Sequence, residues 1–408
     1  MPRSVPSTDF SAVPLTILLT GGRAPVTLEL ARLFALAGHR VLVADSLRHQ
    51  LCTCSNAVEQ NFVVPKPREQ PTAYIAALKD IIQSQKVDWL IPTCEEIFYI
   101  AAGLDELQPY CQVLAEPLEK LAPLHNKWTF IQKVKALDLP APQTWLIRSQ
   151  ADLQAVLSRD ADCKTVLKPV YSRFASQVQI VTKPADPKSF TIDLRPDKPW
   201  VAQTFIEGAH YCLYGVAHKG QLTAFAAYPT SFTAGAGSCI CFESVQHPGL
   251  LDWMKTFVAA EQFTGQIAFD LIEAADGTLY PLECNPRAIS AIHLFSGGDR
   301  LTNAFLFSAD TTQSTLTQPQ ANRPAMITLA MVLYGLPSAI VTRRLAAWAK
   351  TVLGAKDVIF QWHDPLPSLH LGITLLQFVI MSIRSGQSLQ RVSTQDIEWD
   401  GEPIDVSS

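Results

Sequence analysis

Neither sign of charge predominates in this 408-residue chain: 33 Lys and Arg against 37 Asp and Glu leave a formal net charge of −4 at pH 7. That balance excludes the basic footprint of a general nucleic-acid binder. Charged residues are few, 17% against 48% hydrophobic, which excludes a self-repelling disordered polymer and leaves apolar material for more than one core. The sequence has no Walker A loop, no H-E-x-x-H, no G-x-S-x-G and no repeat at solenoid periods. Its nine cysteines are an odd number, and Cys52/Cys54 and Cys239/Cys241 are spaced by one residue instead of two. Neither a zinc ribbon nor a disulfide framework is expected; reduced thiols in a cytoplasmic protein are. The histidines lack metal-ligand spacing, and His293, in an apolar segment, reads as a packed core residue. The apolar run Ala12 to Leu19 is of strand length and has no basic segment and cleavage site around it, so no secretory signal is expected. The longest uncharged apolar stretch, Leu371 to Ile383, is shorter than the roughly 20 residues of a spanning helix. A buried helix is expected there, with an interfacial or partner-binding helix as the alternative, and no integral membrane segment is expected.

What the chain does have is alternation. Residues 15–115 pass from strand-like runs (LTILLT, RVLVAD, NFVV, VDWLIP, CQVLA) to helical periods at Pro25–Ala37 and 71–84. Such βαβ order predicts a parallel, doubly wound sheet, whose ligands bind at the carboxyl ends of the strands. Thr20-Gly21-Gly22, Asp45 and Thr93-Cys94-Glu95-Glu96 stand at those ends. The glycine turn lacks the third glycine of the dinucleotide fingerprint. After residue 117 a helix over Asn126–Leu137 precedes mostly strands and hairpins from 163 to 285, interrupted by one helix near 248–262. The fold class is therefore α/β with an α+β portion. The expected units are a parallel α/β domain, 1–116, and a second domain, 117–307, divided into 143–205 and 206–307. A linker or surface loop, 308–324, and a C-terminal extension, 325–408, with a helix near 338–352, follow.

The strongest chemical signal is GQIAFDLIEAADGTLYPLECNPR, 265–287. Asp276-Gly277 predicts a two-residue hairpin loop with Ala275 facing Thr278. Counting back from that loop puts Asp270 directly opposite Glu283, with Cβ atoms about 4.5–5.5 Å apart. Two carboxylates at that distance repel, and their apolar flanks solvate them poorly. A divalent cation with a preference for oxygen, such as Mg²⁺, resolves both problems, and Asn285 has the parity to add a third oxygen. Lys168, in the apolar strand TVLKPV, is costly there unless an anion pairs with it. Taken alone, a strand lysine is more often a snorkelling surface residue, a helix-start lysine such as Lys127 is usually solvated, and Gln203 at the end of WVAQTFIEG is uninformative.

Together these residues resemble the ATP-grasp superfamily: a helix-opening lysine, a strand lysine in LKP, a hinge strand QTFIEG, then D…E-x-N-P-R. The resemblance covers about residues 15–307. It implies two antiparallel subdomains clasping Mg-ATP under a mobile lid. Lys127 and Lys168 would bind phosphates. Gln203 and the backbone at Phe205-Ile206 would bind adenine. Asp270, Glu283 and Asn285 would hold magnesium, and Arg287 would meet the transferred phosphoryl group and the activated substrate. The usual ribose-binding acid is replaced by His210, which leaves Glu207 as its substitute or the ribose contact weak. The lid segment Val170–Ser176 has no glycine for phosphate contact; Ser172, Arg173 and Ser176 could help there. A narrower resemblance, in AGHRVLVAD, VPKPREQPTAYIAALKDI and DPLPSLHLGITLLQ as well as the hairpin, is to the ATP-grasp ligases of mycosporine biosynthesis, which join glycine to 4-deoxygadusol to give mycosporine-glycine. It implies a small-molecule acceptor and an amino acid as partners, and is compatible with a homodimer. The acceptor would lie between the metal hairpin (Arg287, Ser290) and the strand ends of the first domain (Gly21, Gly22, Glu95). A carboxylate–amine ligase with another substrate, and a non-catalytic nucleotide-binding protein that kept the fold, remain the alternatives.

Overall fold

The structure, a computed structural model, describes residues 14–159, 164–173, 177–182, 192–195, 197–234, 238–307, 316–320 and 324–406. Residues 174–176 of the lid segment, Cys163 and most of the expected linker 308–324 lie outside them. The first sheet is parallel, in the order β3-β2-β1-β4-β5, from β1 (Thr16–Thr20), β2 (Arg40–Asp45), β3 (Gln60–Val63), β4 (Trp89–Ile91) and β5 (Gln112–Val113). Helix α1 (Pro25–Leu36) begins with proline, whose missing N–H costs nothing there. The left-handed Gly38 (φ 87°) follows and turns the chain into β2. Helix α2 (Pro71–Gln85) again starts on proline and buries Tyr74, Ile75, Leu78, Ile81 and Ile82, a stripe at helical spacing.

Two antiparallel sheets follow. Helix α3 (Lys127–Ala136) leads into the smaller one, ordered β6-β9-β7-β8 from β6 (Thr144–Ile147), β7 (Lys164–Pro169), β8 (Gln179–Thr182) and β9 (Trp200–Thr204). The larger, β11-β10-β12-β13, contains β10 (Gly208–His218), β11 (Gln221–Pro229), β12 (Gly265–Ala274) and β13 (Leu279–Asn285). Helix α4 (Pro248–Ala260) covers one face of it, where the stacked rings of Trp253 and Phe257 each meet Phe269 edge-to-face.

The C-terminal part departs from expectation in two ways. The helix expected near 338–352 is broken into Leu336–Val341 and Leu345–Gly354, with Arg343 between them in the left-handed region (φ 56°). The apolar stretch expected to be a buried helix belongs to a longer one, α5 (Leu366–Ser385), and only 17% of its most apolar window is buried. By length and composition alone α5 suffices to cross a membrane. Periodicity marks a helix but does not say which of its faces the rest of the chain covers.

Candidate active site

The acidic hairpin forms, but by a different route. The Ala274 N–H donates to the Thr278 carbonyl and the Gly277 N–H to the Ala274 carbonyl, both at 2.9 Å. The loop is therefore three residues, Ala275 to Gly277, closed by Gly277 at φ 82°. That displaces the register by one residue from a two-residue turn. A β-bulge at Leu282 displaces it back: Leu271 pairs with Pro281, while Asp270 pairs with Glu283. The offsets cancel, and the acids stand opposite each other. Alternation then sends Phe269 and Leu271 into the core and both acids to the other face.

Onto that face come the two lysines. The Asn126 side chain caps α3 by accepting from the Trp128 and Thr129 N–H groups. This fixes Lys127 at the first helical position, where its buried Nζ lies 3.1 Å from Glu283 Oε2 and donates to the Ser172 carbonyl at 3.0 Å. It is thus not the solvated lysine usual at a helix start. Lys168 points away from the core formed by Leu167, Ala202 and helix Gln150–Leu157, and its buried Nζ donates to the Leu282 carbonyl at 3.2 Å. The residue that the bulge leaves unpaired is the one that receives the lysine. Burial and Lys127 push Lys168 down to about 8, against the pull of Glu283. Burial and the Glu283 charge push Asp270 above the usual carboxylate range. Burial would raise Glu283 too, but Lys127 and Lys168 outweigh it and hold Glu283 well below its ordinary value. Asn285 completes the set: its Nδ2 lies 3.5 Å from Glu283 Oε1, and its Oδ1 3.4 Å from Arg287 Nη2. Among the described residues no three His, Cys, Asp or Glu side chains form a metal-holding group. The donor set is two carboxylates and an amide oxygen, which suits a hard cation.

The opposite wall is built by the first domain and the C-terminal tail. Buried Glu95 faces Arg173 at 2.5 Å and Arg287 at 3.7 Å. Burial opposes its ionisation, but these two guanidinium groups hold its carboxyl below the usual range. Arg173 also donates to Asp400 (2.7 Å) and to the Trp399 carbonyl (2.6 Å), and Trp399 stacks on Phe98 and meets Tyr171. Gly21 and Gly22 are not on this wall. They are buried, and a Cβ would sit 2.7 Å from Thr93 Oγ1 at Gly21 and 1.8 Å from Gln50 Oε1 at Gly22. They let two loops pack closely. Asp45 is likewise occupied: it binds the Arg23 backbone (2.8 Å) and side chain (2.6 Å), and Arg23 reaches Asp396 at 2.6 Å. The strand-end crevice is filled by an arginine clamped between two carboxylates. Ser290 is half-buried at the start of a short 3₁₀ turn beyond Arg287.

Residues 124–291 match a family model described as an ATP-grasp domain. Among solved structures, N5-carboxyaminoimidazole synthetase from Staphylococcus aureus complexed with ADP superposes with a TM-score of 0.61 at 14% identity, over 78% of this chain and 83% of that one. L-amino acid ligase from Bacillus licheniformis gives 0.59 at 15%, over 77% and 80%. The biotin carboxylase domain of Hydrogenobacter thermophilus 2-oxoglutarate carboxylase, in complex with MgADP and bicarbonate, gives 0.58 at 10%, over 76% and 73%. A comparison with curated protein sequences gives no match.

The fold is the ATP-grasp fold. Within it, Gln203 is buried on the same face of the smaller sheet as Lys168 and donates to Thr144 Oγ1 at 3.1 Å. Phe205 spends its N–H on the Lys164 carbonyl (3.1 Å). Ile206 is half-buried beside it, and Glu207 and His210 are exposed where β9 passes into β10. His210 has the parity of Cys212, which pairs with Asp270, so it shares the face of Asp270 and Glu283. The sequence did not single out Asp396, Trp399 and Asp400, and it offered Arg173 only as a residue that could help with phosphate contact, whereas here Arg173 meets Glu95 and the tail. The acid-rich run DIEWDGEPID (396–405) was the available signal, but a charge run is ordinarily a solvated face. A cavity of about 230 Å³ under α1, lined by Leu33, Leu36, Ser296, Arg300 and Asn303 among others, shares no residue with this site.

Proposed function

We propose that this chain is an ATP-dependent carbon–nitrogen ligase that phosphorylates an oxygen of a small acceptor and lets an amine displace the phosphate. The observation that carries the reading is the convergence of Lys127 and Lys168 on the Asp270–Glu283 pair, across from Arg287 and Glu95. Lys127 and Lys168 bind ATP phosphates, and Gln203 with the Phe205–Ile206 backbone borders the adenine. Since the Phe205 N–H is taken, the Ile206 N–H and the Phe205 carbonyl are the groups this hinge offers. Glu207 and His210 stand nearest for the ribose. Asp270, Glu283 and Asn285 would hold magnesium, which neutralises phosphate charge when bound. Asp270, raised by its neighbour, is a carboxyl short of positive charge, which supports that fit. Arg287 clamps the acceptor oxygen and Ser290 borders it. Glu95 holds Arg287 and Arg173 in place from the other wall.

In the first step the acceptor oxygen bonds to the γ-phosphorus and ADP leaves. In the second the amine nitrogen bonds to the acceptor carbon, the carbon–oxygen bond breaks with its electron pair on the departing phosphate, and the nitrogen gives up a proton. The ligase from Bacillus licheniformis supports an amino acid as the amine. The resemblance of the hairpin and of residues 364–377 to the mycosporine ligases makes the acceptor 4-deoxygadusol and the amine glycine. The full chain with Mg-ATP, glycine and 4-deoxygadusol should release ADP and yield an ultraviolet-absorbing adduct of the expected mass. ADP release with other carboxylate acceptors, and none with 4-deoxygadusol, would keep the ligase and reject the acceptor. No ADP release with any acceptor and amine in a broad panel would reject the ligase.

A further inference from the structure

Helix α5 is apolar around most of its circumference, and the chain covers only one side. The inner side is pinned to the first domain. Pro367, His370 and Thr374 are buried, Thr374 Oγ1 donates to the His49 carbonyl (3.0 Å), and Gln377 Oε1 accepts from the His49 N–H (3.2 Å). Just before the helix, Asp364 is locked to Arg32 at 2.8 Å. The outer side carries Leu366, Leu369, Ile373, Leu376, Ile380 and Ile383, all exposed, with Leu369 at 76% and Ile383 at 77%, and Leu375 and Val379, at its flank, are partly exposed too. Their spacing is 3-4-3-4-3 without a break. At 100° per residue these six side chains fall within a stripe about 100° wide that drifts about 20° per heptad, as the a and d positions of a straight helix do.

We propose that this stripe is where two copies of the chain pair, α5 against α5, about a two-fold axis. Strict 3-4 spacing is what knobs-into-holes packing against another helix demands, whereas lipid makes no demand on spacing. An interfacial membrane helix carries Lys and Arg on its polar face; α5 has none before Arg384, and His370, Thr374 and Gln377 are spent on Cys54 and His49 of the first domain. The same lack of charge means that two copies meet with no like-charge repulsion along the stripe. The six residues expose roughly 600 Å² per copy, near the roughly 800 Å² per partner of a standard interface, so little more than the flanks of the helix need join them. Gly372, at the stripe's edge, has nothing within 4 Å of where a Cβ would stand, which leaves room for close approach. An antiparallel pair keeps the two Arg384 side chains apart and opposes the helix dipoles.

The test is sedimentation equilibrium of the full chain between about 1 and 100 μM. The expected result is a reversible dimer. Leu376→Glu with Ile380→Glu should raise its dissociation constant at least a hundredfold, and the milder Leu369→Gln with Ile373→Gln at least tenfold. The stripe is outside the core, so both variants should keep the wild-type circular dichroism spectrum, and their melting temperature should match that of wild type at a concentration where wild type is monomeric. Val341→Glu, at an apolar residue exposed elsewhere, should leave the dimer unchanged. A wild-type monomer throughout that range, or a dimer that survives both double substitutions, overturns the proposal. Flotation of a wild-type monomer with phosphatidylcholine vesicles, lost in the same variants, would instead make the occupant a lipid surface and also overturn it.

Discussion

Two buried charge clusters lie in this molecule, and they are balanced differently. In the strand-end crevice Arg23 sits between Asp45 and Asp396 at 2.6 Å from each, and Ser46 also binds Asp396. Burial is overcome on both sides of the Arg23–Asp396 pair: Arg23 is held above its ordinary value and Asp396 below. In the cleft the partners are mismatched. Lys168 is driven down and Asp270 up, while Glu283 takes the favourable contacts with both lysines. The first arrangement is complete and serves as a staple across the chain. The second holds two ammonium groups and two carboxylates under strain that phosphates and a divalent cation would relieve. Buried charge by itself therefore does not mark a site; charge that its own neighbours leave unsatisfied does.

The largest effect should come from the strained cluster. Glu283→Gln removes a charge without changing volume, and turnover should fall on the order of a thousandfold. The unfolding midpoint in urea should stay within error. Full activity in this variant would remove the acids from catalysis. Breaking the staple should do the reverse. Arg23→Ala leaves two buried carboxylates facing each other and should cost about 3–5 kcal/mol in urea unfolding, with ATP affinity unchanged. If it proves stable and inactive, the crevice is a ligand site and the comparison fails.

Arg287→Ala tests the wall between the clusters. Ligation should fall about a hundredfold, while ATP, which keeps both lysines, binds with nearly its wild-type affinity. Equal losses in both assays would move Arg287 to the nucleotide. Lys168→Met should weaken ATP binding about tenfold, as loss of one partly compensated charge contact predicts. Isothermal titration measures it, and an unchanged dissociation constant would remove Lys168 from the phosphates.

The smallest effect is one of pH. Lys168 is lowered to about 8, so it is protonated below that pH and neutral above it. Wild-type ATP affinity should therefore decline as pH rises through about 8, and the decline should be shallower in Lys168→Met. A parallel decline in the two proteins would assign the titration to another group.

The parallel sheet, helix α4 and the acidic hairpin were all legible in the sequence, because strand alternation, helical period and turn chemistry are local. Even there the legibility had a limit. Asp-Gly suits a three-residue loop as well as a two-residue one, and nothing in LIEAADGTLYPLE announces a bulge at Leu282. The opposition of Asp270 and Glu283, expected from a two-residue loop, is realised because two one-residue offsets cancel. A single uncancelled slip would have turned one acid to the other face.

What the sequence determined by itself is what neighbouring residues decide: where helices begin on proline or on an asparagine cap, and which positions of a strand share a face. What only the tertiary structure decided is which distant groups meet. Arg23 and Asp396 are 373 positions apart, Lys168 and the Leu282 carbonyl 114, and no period or spacing links either pair. Gly21, Gly22 and Asp45 looked like ligand positions because they stand at strand ends. The tail filled that crevice, because Asp396 offered Arg23 a second carboxylate in a place water does not reach. Helix α5 looked buried because it is apolar, yet apolarity states a preference for cover without supplying it.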